Sequence, residues 1–511
     1  MKKLVCLISC SLSHWCSGQT WEWARIIPAP PYTYMRDMVS DGAGNSYIAF
    51  EVTNAGSFDV LSVSPGYWIA KYDPGGMLTW LKKYPVSSIA VNDEAIYTCG
   101  KFSGSQNLGG STFTSSGATD MVMLKLDLSG NLLAFKIFGG PGEDQANKIV
   151  LDELGNTYVT GSYEDQMAID GHAFGGSPWY NYFILKADAA LAYTWADTDT
   201  TALAYGYDIA LSSQDVFVAG RANFFMSSGH FINHYTPAGD LARQIIQEDG
   251  PAGSEYHIGF TGGTLCAIAS ISSTHTTDFS FFRYDSLLEV SYERPMGASY
   301  HYAIGTGMIP AGNGSLFFNG NAGNGMTDSC LVDSVWVEIH GGEGDTYIVR
   351  TDSMGKIESL LPAYSRDGAA IDFLSKDAFS NVYAFGRYYN YVHEDSLHLG
   401  SLIVPITPGG TRGFFLAKAA QTVLTGSNGV ITEQYVQVNL GPNPSAGVIA
   451  LSSTSPLLGI VVYDDLGKLI MIKSVDRSLA SGIDLSHCKK GIYFVEAETE
   501  KGVIVKKVLL N

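Results

Sequence analysis

Two alternating patterns recur along this chain and restrict its fold more than any other feature. Residues 41–50 read DGAGNSYIAF and residues 152–161 read DELGNTYVTG, with the same spacing of Asp, Gly, Asn and Tyr. Five more eroded copies begin at 91, 211, 261, 311 and 377. Between them lies an apolar-alternating run that ends in a basic residue, a spacer and commonly Asp, as in YWIAKYDPGG (67–76) and MVMLKLDLSG (121–130). Seven copies place their basic residue at Lys71, Lys125, Lys186, His234, Arg283, Arg350 and Lys418. Each pattern has the chemistry of a hairpin. Asp at the head of a tight turn accepts backbone N–H bonds from the residues after it, and Gly or Asn further on tolerates positive φ. The repeat turns Asp41 with Asn45, Asp152 with Asn156, and Asp377 with Asn381 carry this role most plainly. The strand that follows alternates, as in Thr157-Tyr158-Val159-Thr160, so one face is expected to pack and the other to meet water.

Two hairpins per period give four antiparallel strands in about 48 to 68 residues. A lone four-stranded sheet cannot bury both faces, so sheets stacked around an axis are the natural solution, and four strands per repeat make the blade of a propeller. The series opens with one half-unit at 41 and closes with the other at 413, which calls for the two ends to combine. The expected fold is therefore all-β: a seven-bladed β-propeller over residues 19–420, closed by strand exchange between the segment from Trp21 to Phe50 and Gly413 to Ala420. Only 16% of residues are charged, with 57 Gly, 29 Tyr and 24 Phe, a balance that suits short strands and tight turns.

The N-terminus, with two lysines and an apolar run from Leu4 to Leu12, reads as a secretory signal peptide over residues 1–18. The run is too short to span a bilayer, and no later segment reaches transmembrane length. LISC at 7–10 offers a lipoprotein box as an alternative, with almost no apolar region before Cys10. Losing residues 1–18 removes Lys2 and Lys3 and no acid, so the formal charge moves from −19 to −21. Such a surface repels phosphate backbones and excludes nucleic acid as a partner. Cys99, Cys266, Cys330 and Cys488 are too scattered for a disulfide framework and read as buried thiols, with a Cys266–Cys330 bridge as the alternative.

Residues 421–434 read as a linker, and residues 435–511 as a small antiparallel β-sandwich. Its eight acids and eight bases cancel, so the negative excess sits on the repeats. The hairpins of this module turn at Asp464 to Gly467 and near Glu500 to Gly502.

The repeated D-x-x-G-N-x-Y-x-x-G with K-x-D-x-x-G between copies resembles the SBBP-type beta-propeller repeats of exported proteins in Bacteroidetes and other bacteria, over residues 21 to 420. The pieces GPNPSAG, VVYDDLGKLI, IDLSHCKKGIYFVE and VKKVLLN resemble the type A C-terminal sorting domain of the type IX secretion system, in that family's order. The resemblance assigns the opening motif to Pro442, Asn443 and Pro444, the hairpin glycine to Gly467, the G-I-Y strand to Gly491 and Tyr493, and the terminal basic pair to Lys506 and Lys507. Gly441 stands where the family often has an aromatic. The route it implies is Sec export, contact with the type IX machinery, removal of this domain, and release or attachment at the outer surface. The alternative is a small adhesive sandwich kept in the mature protein.

No catalytic constellation emerges, and no cofactor is expected. His230 and His234 sit on a strand, where residues four apart lie about 13 Å from each other and cannot share a metal. DTDTT (197–201) and the turn aspartates raise calcium as the one cation to weigh, without EF-hand spacing. Glu143 and Asp144 in GGPGEDQA are the candidate carboxylates for a glycosidase-like funnel. YDPGGMLTW (72–80) lacks the register of a sialidase Asp-box, with Lys71 and Trp80 out of place. The tyrosine-rich segments WYNYF (179–183), RYYNYVH (387–393) and SYHYA (299–303) are candidates for stacking on sugar or peptide, against core packing as the plainer role. The expected function is a secreted or cell-surface binding or scaffold module for an extracellular glycan or protein. The rivals are a polysaccharide-active enzyme with its site in the funnel, and a purely structural surface protein.

Overall fold

The computed structural model describes residues 19–511, leaving aside 201–202, 224–227, 249–253, 273–276, 300–304, 313, 323–328, 333–334, 339–343, 390–395, 407–411, 422–437, 465–467 and 500–501. Among the described residues there are strands and turns and no helix. The assigned signal peptide, the linker up to residue 434, Gly467 and the SYHYA tyrosines at 300–303 fall outside them. Residues Gln19–Gln421 form one compact unit, and the segment from Thr422 to Asn511 belongs to a second.

Within the first unit the two hairpin patterns join in chain order. The strands Thr33–Ser40, Ser46–Val52, Gly66–Tyr72 and Leu78–Lys83 form one antiparallel sheet, and Ser88–Val91, Ala95–Phe102, Asp120–Asp127 and Leu132–Phe138 form the next. The same meander repeats to give seven sheets of four or more strands among the described residues of this unit. The last is composite: Ala369–Lys376, Val382–Tyr389 and Arg412–Gln421 take their fourth strand from the N-terminus, where Gln19–Ile27 pairs antiparallel with Arg412–Gln421. The strands of Thr33–Val52 belong to the first sheet, so the exchanged piece is one strand and does not extend to Phe50 as the sequence reading proposes.

The expectation that one face of each second strand meets water does not hold. Every residue of Thr157–Tyr163 is buried, as are all but one of Ser46–Val52. These strands sit inside the stack, with a neighbouring sheet on each side, so alternation sorts residues between two dry faces. Tyr47 and Ile96 accordingly share one core cluster across two sheets, and Met123 and Val159 share another. The fourth strands, such as Tyr193–Asp199, are half exposed along their length. Two hairpins inserted between second and third strands pair with the outer edge of the preceding sheet. Ser329–Glu338 extends the sheet ending at Val290–Ser299, and Ser396–Pro405 extends the sheet ending at Ile357–Tyr364. Covered edges suppress sheet-to-sheet aggregation.

In the second unit Val438–Gly441, Val448–Asp464, Leu469–Asp484, Gly491–Thr499 and Gly502–Leu510 are hydrogen-bonded into one five-stranded antiparallel sheet. The two long strands carry register breaks between Ser452 and Gly459, where the strands bend, and residues on both sides of the break, such as Ile449 and Val462, share one core. Asn443 explains its own motif. Its Nδ2 donates to the Lys507 carbonyl at 2.8 Å and its Oδ1 accepts the Leu509 N–H at 2.9 Å, while Ser445 N–H donates to the Leu509 carbonyl at 2.8 Å. The segment Pro442–Ser445 therefore clamps the terminal strand. Pro442, Pro444, Lys506 and Lys507 remain exposed, and Tyr493 is buried with its hydroxyl on the Lys489 carbonyl at 2.8 Å.

Candidate functional site

The repeat turns come first, because they position everything else. Asp41 Oδ1 accepts the N–H groups of Ala43 (3.1 Å) and Asn45 (2.8 Å), and its Oδ2 accepts Asn45 Nδ2 (2.8 Å) and the Tyr47 hydroxyl (3.1 Å). Asp152 with Asn156 and Tyr158, and Asp377 with Asn381 and Tyr383, repeat this set. The phenols pay in acidity: burial, then the aspartate beside it, pushes Tyr158 up to about 12. The turn carboxylates are thus occupied by the chain's own donors, and among the described residues there is no group of three or more side chains that could hold a metal.

Each basic repeat residue stands directly across the ladder from the aromatic position: Tyr47 and Lys71, Tyr97 and Lys125, Tyr158 and Lys186, Phe217 and His234, Phe317 and Arg350, Tyr383 and Lys418. In the remaining pair Cys266 faces Arg283. The ammonium groups of Lys71, Lys125 and Lys186 lie 5.1, 5.2 and 4.8 Å from the ring centroids. Several then cross to the next sheet, where the acceptor is the carbonyl one residue past the turn's first residue. Lys71 Nζ donates to Leu128 O at 3.1 Å, Lys125 Nζ to Ala189 O at 2.9 Å, and Arg283 to Ser353 O. Trp195 Nε1 does the same to Pro237 O at 3.1 Å.

One cavity of about 600 Å³ is lined by residues from the first strand of all seven sheets, including Asp37, Ile89, Lys148, Asp208, His257, Met308 and Leu374. In Thr33–Ser40, Gln145–Leu151, Leu203–Leu211 and Ala369–Lys376 a bulge adds one residue, Arg36, Asn147, Tyr207 and Asp372 respectively. Bulges re-aim side chains. The first strands lie side by side, and side chains staple them to one another. Ser40 N–H donates to Ser375 Oγ (2.6 Å), Ile89 N–H to Asp37 Oδ2 (3.1 Å), Ile149 N–H to Ser88 Oγ (3.3 Å), Asn147 Nδ2 to Gly206 O (2.9 Å) and Ile258 N–H to Asp208 Oδ2 (3.0 Å).

At the centre Lys148 Nζ lies 3.1 Å from Asp37 Oδ2, and the Ser88 hydroxyl donates to the same oxygen. Lys148 lies deep in the unit yet keeps 29% of its side-chain surface, because it faces the bore. Burial opposes its charge, but Asp37 and Asp208 outweigh that and hold its pKa above the ordinary lysine value. His257 Nδ1 sits 3.7 Å from Asp208 Oδ2. None of these bore residues was singled out from the sequence. Their only signal is a charged residue inside an apolar first strand, as in NKIV and YDIA.

The sequence candidates lie elsewhere. Glu143 pairs with Lys101 at 3.1 Å and accepts the Tyr180 hydroxyl at 3.2 Å, and its pKa lies below the usual range because of Lys101. Asp144 is fully buried, accepting N–H groups from Gly140 (2.6 Å) and Glu164 (3.2 Å). Burial pushes it up to about 7, with Asp120 and Glu164 adding to the rise. A Cβ on Gly139 would stand 2.5 Å from Asp144 Oδ2 and 3.3 Å from Asp120 Oδ1, so only glycine fits there. The pair anchors a connection between sheets and does not line the bore. His230 and His234 part company: His230 Nδ1 meets the Tyr207 hydroxyl at 2.6 Å, and His234 Nε2 meets Asp215 at 2.8 Å. In WYNYF, Trp179 is exposed and Tyr182 buried. In RYYNYVH, Tyr388 is buried and residues 390–393 fall outside the described residues. Cys99 and Cys266 are buried free thiols and Cys488 is free and half-buried, so Cys266 makes no bridge; the Cys330 side chain is outside the described residues. No helix of the described residues is long and apolar enough to cross a membrane.

The described residues define an all-β protein built of repeated four-stranded sheets with a separate terminal unit. Residues 439–511 match the secretion system C-terminal sorting domain, and residues 135–162 match the beta-propeller repeat. The chain carries SBBP-type repeats and a type IX sorting domain, which marks it for secretion and the cell surface. No curated protein sequence matches it. Among solved structures it is similar to the endosialidase of phage phi92 (10% identity, 89% of this chain and 74% of that one, TM-score 0.38). It is also similar to the acylaminoacyl peptidase of Pyrococcus horikoshii (9%, 83% and 58%, TM-score 0.41). A third is the WD40 domain of Toxoplasma gondii coronin (10%, 80% and 90%, TM-score 0.38). Likenesses this distant say nothing of ligand or activity.

Two outcomes follow from the geometry. Asp37→Ala removes the nearer of the two carboxylates that hold Lys148 together with a staple, so it is expected to cost about 1–3 kcal/mol in denaturant unfolding. Adding Lys148→Met to it should recover part of that loss; equal losses in the single and double variants would contradict the pairing. Asp144 keeps its proton in the fold up to about pH 7, whereas the unfolded acid loses it near pH 4. Its contribution is complete below about pH 4 and fades as pH rises to about 7, by on the order of 1 kcal/mol per unit. Asp144→Asn should flatten that slope, with a loss at low pH because its amide nitrogen cannot accept one of the two backbone N–H groups.

Proposed function

We propose that this protein is an exported binding or scaffold module: a seven-bladed propeller, closed by exchange of the N-terminal strand Gln19–Ile27, that presents the mouth of its central bore to an extracellular glycan or protein. The chain enters the Sec route through residues 1–18, and the type IX machinery reads and removes the C-terminal unit. The observation that carries the binding reading is the state of the ionisable groups in the bore. Asp37 is held by Lys148, Ser88 and two backbone N–H groups, and Asp208 by two backbone N–H groups with His257 close by. Groups bonded in this way shape a rigid polar surface. A general acid and base would need carboxylates free to exchange protons with a substrate, and the buried Asp144 sits apart from the bore.

The export half is tested by mass spectrometry of culture supernatant and cell-surface fractions. A product that starts near Gln19 and ends near residue 430 is expected. A secreted chain that retains residues 435–511 would make the terminal unit an adhesive domain. For the binding half, a glycan array and a polysaccharide-degradation panel on the same sample should give binding without turnover. Release of reducing ends would overturn it.

A further inference from the structure

Next to the bore lies a smaller cavity of about 250 Å³, lined by Arg36, Tyr67, Ser87, Lys101, Gln145 and Asn147. The first three sheets all contribute: Arg36 and Tyr67 come from the first, Lys101 from the second, Gln145 and Asn147 from the third, and Ser87 immediately precedes the second. Arg36 and Asn147 also line the bore, so the two spaces adjoin. All six lining side chains are polar, and the two charged ones are both cations. That reverses the balance of a chain with 31 basic and 50 acidic residues. The acids that pair with them, Glu51 on Arg36 and Glu143 on Lys101, are not lining residues.

An apolar ligand has nothing to bury against here, and a polyphosphate chain would meet the repulsion of the surrounding acidic surface. A compact anion that also carries hydroxyl groups bears fewer charges against that repulsion and finds polar partners throughout the lining. The Arg36 guanidinium offers a planar fork that suits a carboxylate or sulfate, and Lys101 adds a point charge. Tyr67, Ser87, Gln145 and Asn147 supply hydroxyl and amide groups able to donate and accept, with the Tyr67 ring as a stacking face. We propose that this cavity binds one acidic sugar unit, a hydroxyl-bearing ring with a carboxylate or a sulfate ester, held by Arg36 and Lys101. The assignment rests on the binding reading above and narrows its ligand.

The test is isothermal titration of the full chain at low salt with an oligogalacturonide, a sulfated galactose oligosaccharide and a neutral galactose oligosaccharide. At least one charged sugar should bind, and the neutral one should bind at least about tenfold more weakly, the loss expected for one charge-assisted hydrogen bond. Arg36→Gln and Lys101→Gln should each weaken the charged sugar by about tenfold while the thermal midpoint stays close to that of the wild type. Lys136→Gln makes the same charge change on an outer strand, at a residue paired with Asp170 and absent from the cavity lining, and should leave affinity unchanged. Equal binding of the neutral sugar, no binding of either charged sugar, or a Lys136→Gln loss as large as the Arg36→Gln loss would overturn the proposal. Should both charged sugars fail while the array finds another ligand, this assignment falls and the binding reading stands.

Discussion

One contact ties neighbouring sheets together in two of the repeats: the ammonium of Lys71 or Lys125 lies over the ring of the tyrosine across the ladder and donates to a turn carbonyl of the next sheet, while Arg283 makes the carbonyl bond opposite a cysteine. In the second sheet Asp and Asn at the ends of the turns shape the backbone, Tyr97 carries Lys125, and Lys125 ends on Ala189 O in the third sheet. The ring also hydrogen-bonds to that carbonyl, through the Tyr97 hydroxyl at 3.1 Å. An ammonium half-removed from water needs the ring and the carbonyl together, and the carbonyl is presented only because the turn residue before it is fixed. Where the basic residue is replaced the partner changes with it, as His234 stacks on Phe217 and turns to Asp215.

Much of this was legible in the sequence because turn chemistry is local. Asp, Gly, Asn and Tyr at fixed offsets specify a turn and a strand without reference to distant residues, and the basic position was visible as part of the period. Its destination was not, since Ala189 lies 64 residues beyond Lys125 and becomes its neighbour only once the sheets stack. The same limit hid the bore. Asp37 and Lys148 are 111 residues apart, and nothing local distinguishes them from solvated charges. Reading Thr157-Tyr158-Val159-Thr160 as half wet failed for a related reason: alternation tells which residues share a face and leaves open what covers the second face. The N-terminal strand was legible as a missing fourth strand, although its end was placed too far along at Phe50. The carboxylates Glu143 and Asp144 drew attention by their position in a loop, but Asp144 is buried on backbone donors and Glu143 is held by the side chains of Lys101 and Tyr180.

The two units follow different logic. In the repeats, negative charge accumulates on turns whose aspartates are consumed by backbone donors, so the acidity is largely a by-product of the turn chemistry. The cavity at Arg36 and Lys101 departs from that rule: its charged lining side chains are cations, each with its acid partner, Glu51 or Glu143, outside the lining. In the terminal unit the charges balance, and the specific feature is the Asn443 clamp on Lys507 and Leu509, which fixes the end of the chain against the segment that opens the unit. A motif spread over both ends of a module reads as scattered in sequence and as one contact in space.

A double-mutant cycle on Tyr97→Leu and Lys125→Met, followed by chemical unfolding, tests the central claim most directly. The account predicts that the two losses are not additive, with a coupling on the order of 1 kcal/mol. Strict additivity would show that ring and ammonium act separately, and the contact between sheets would then rest on something else.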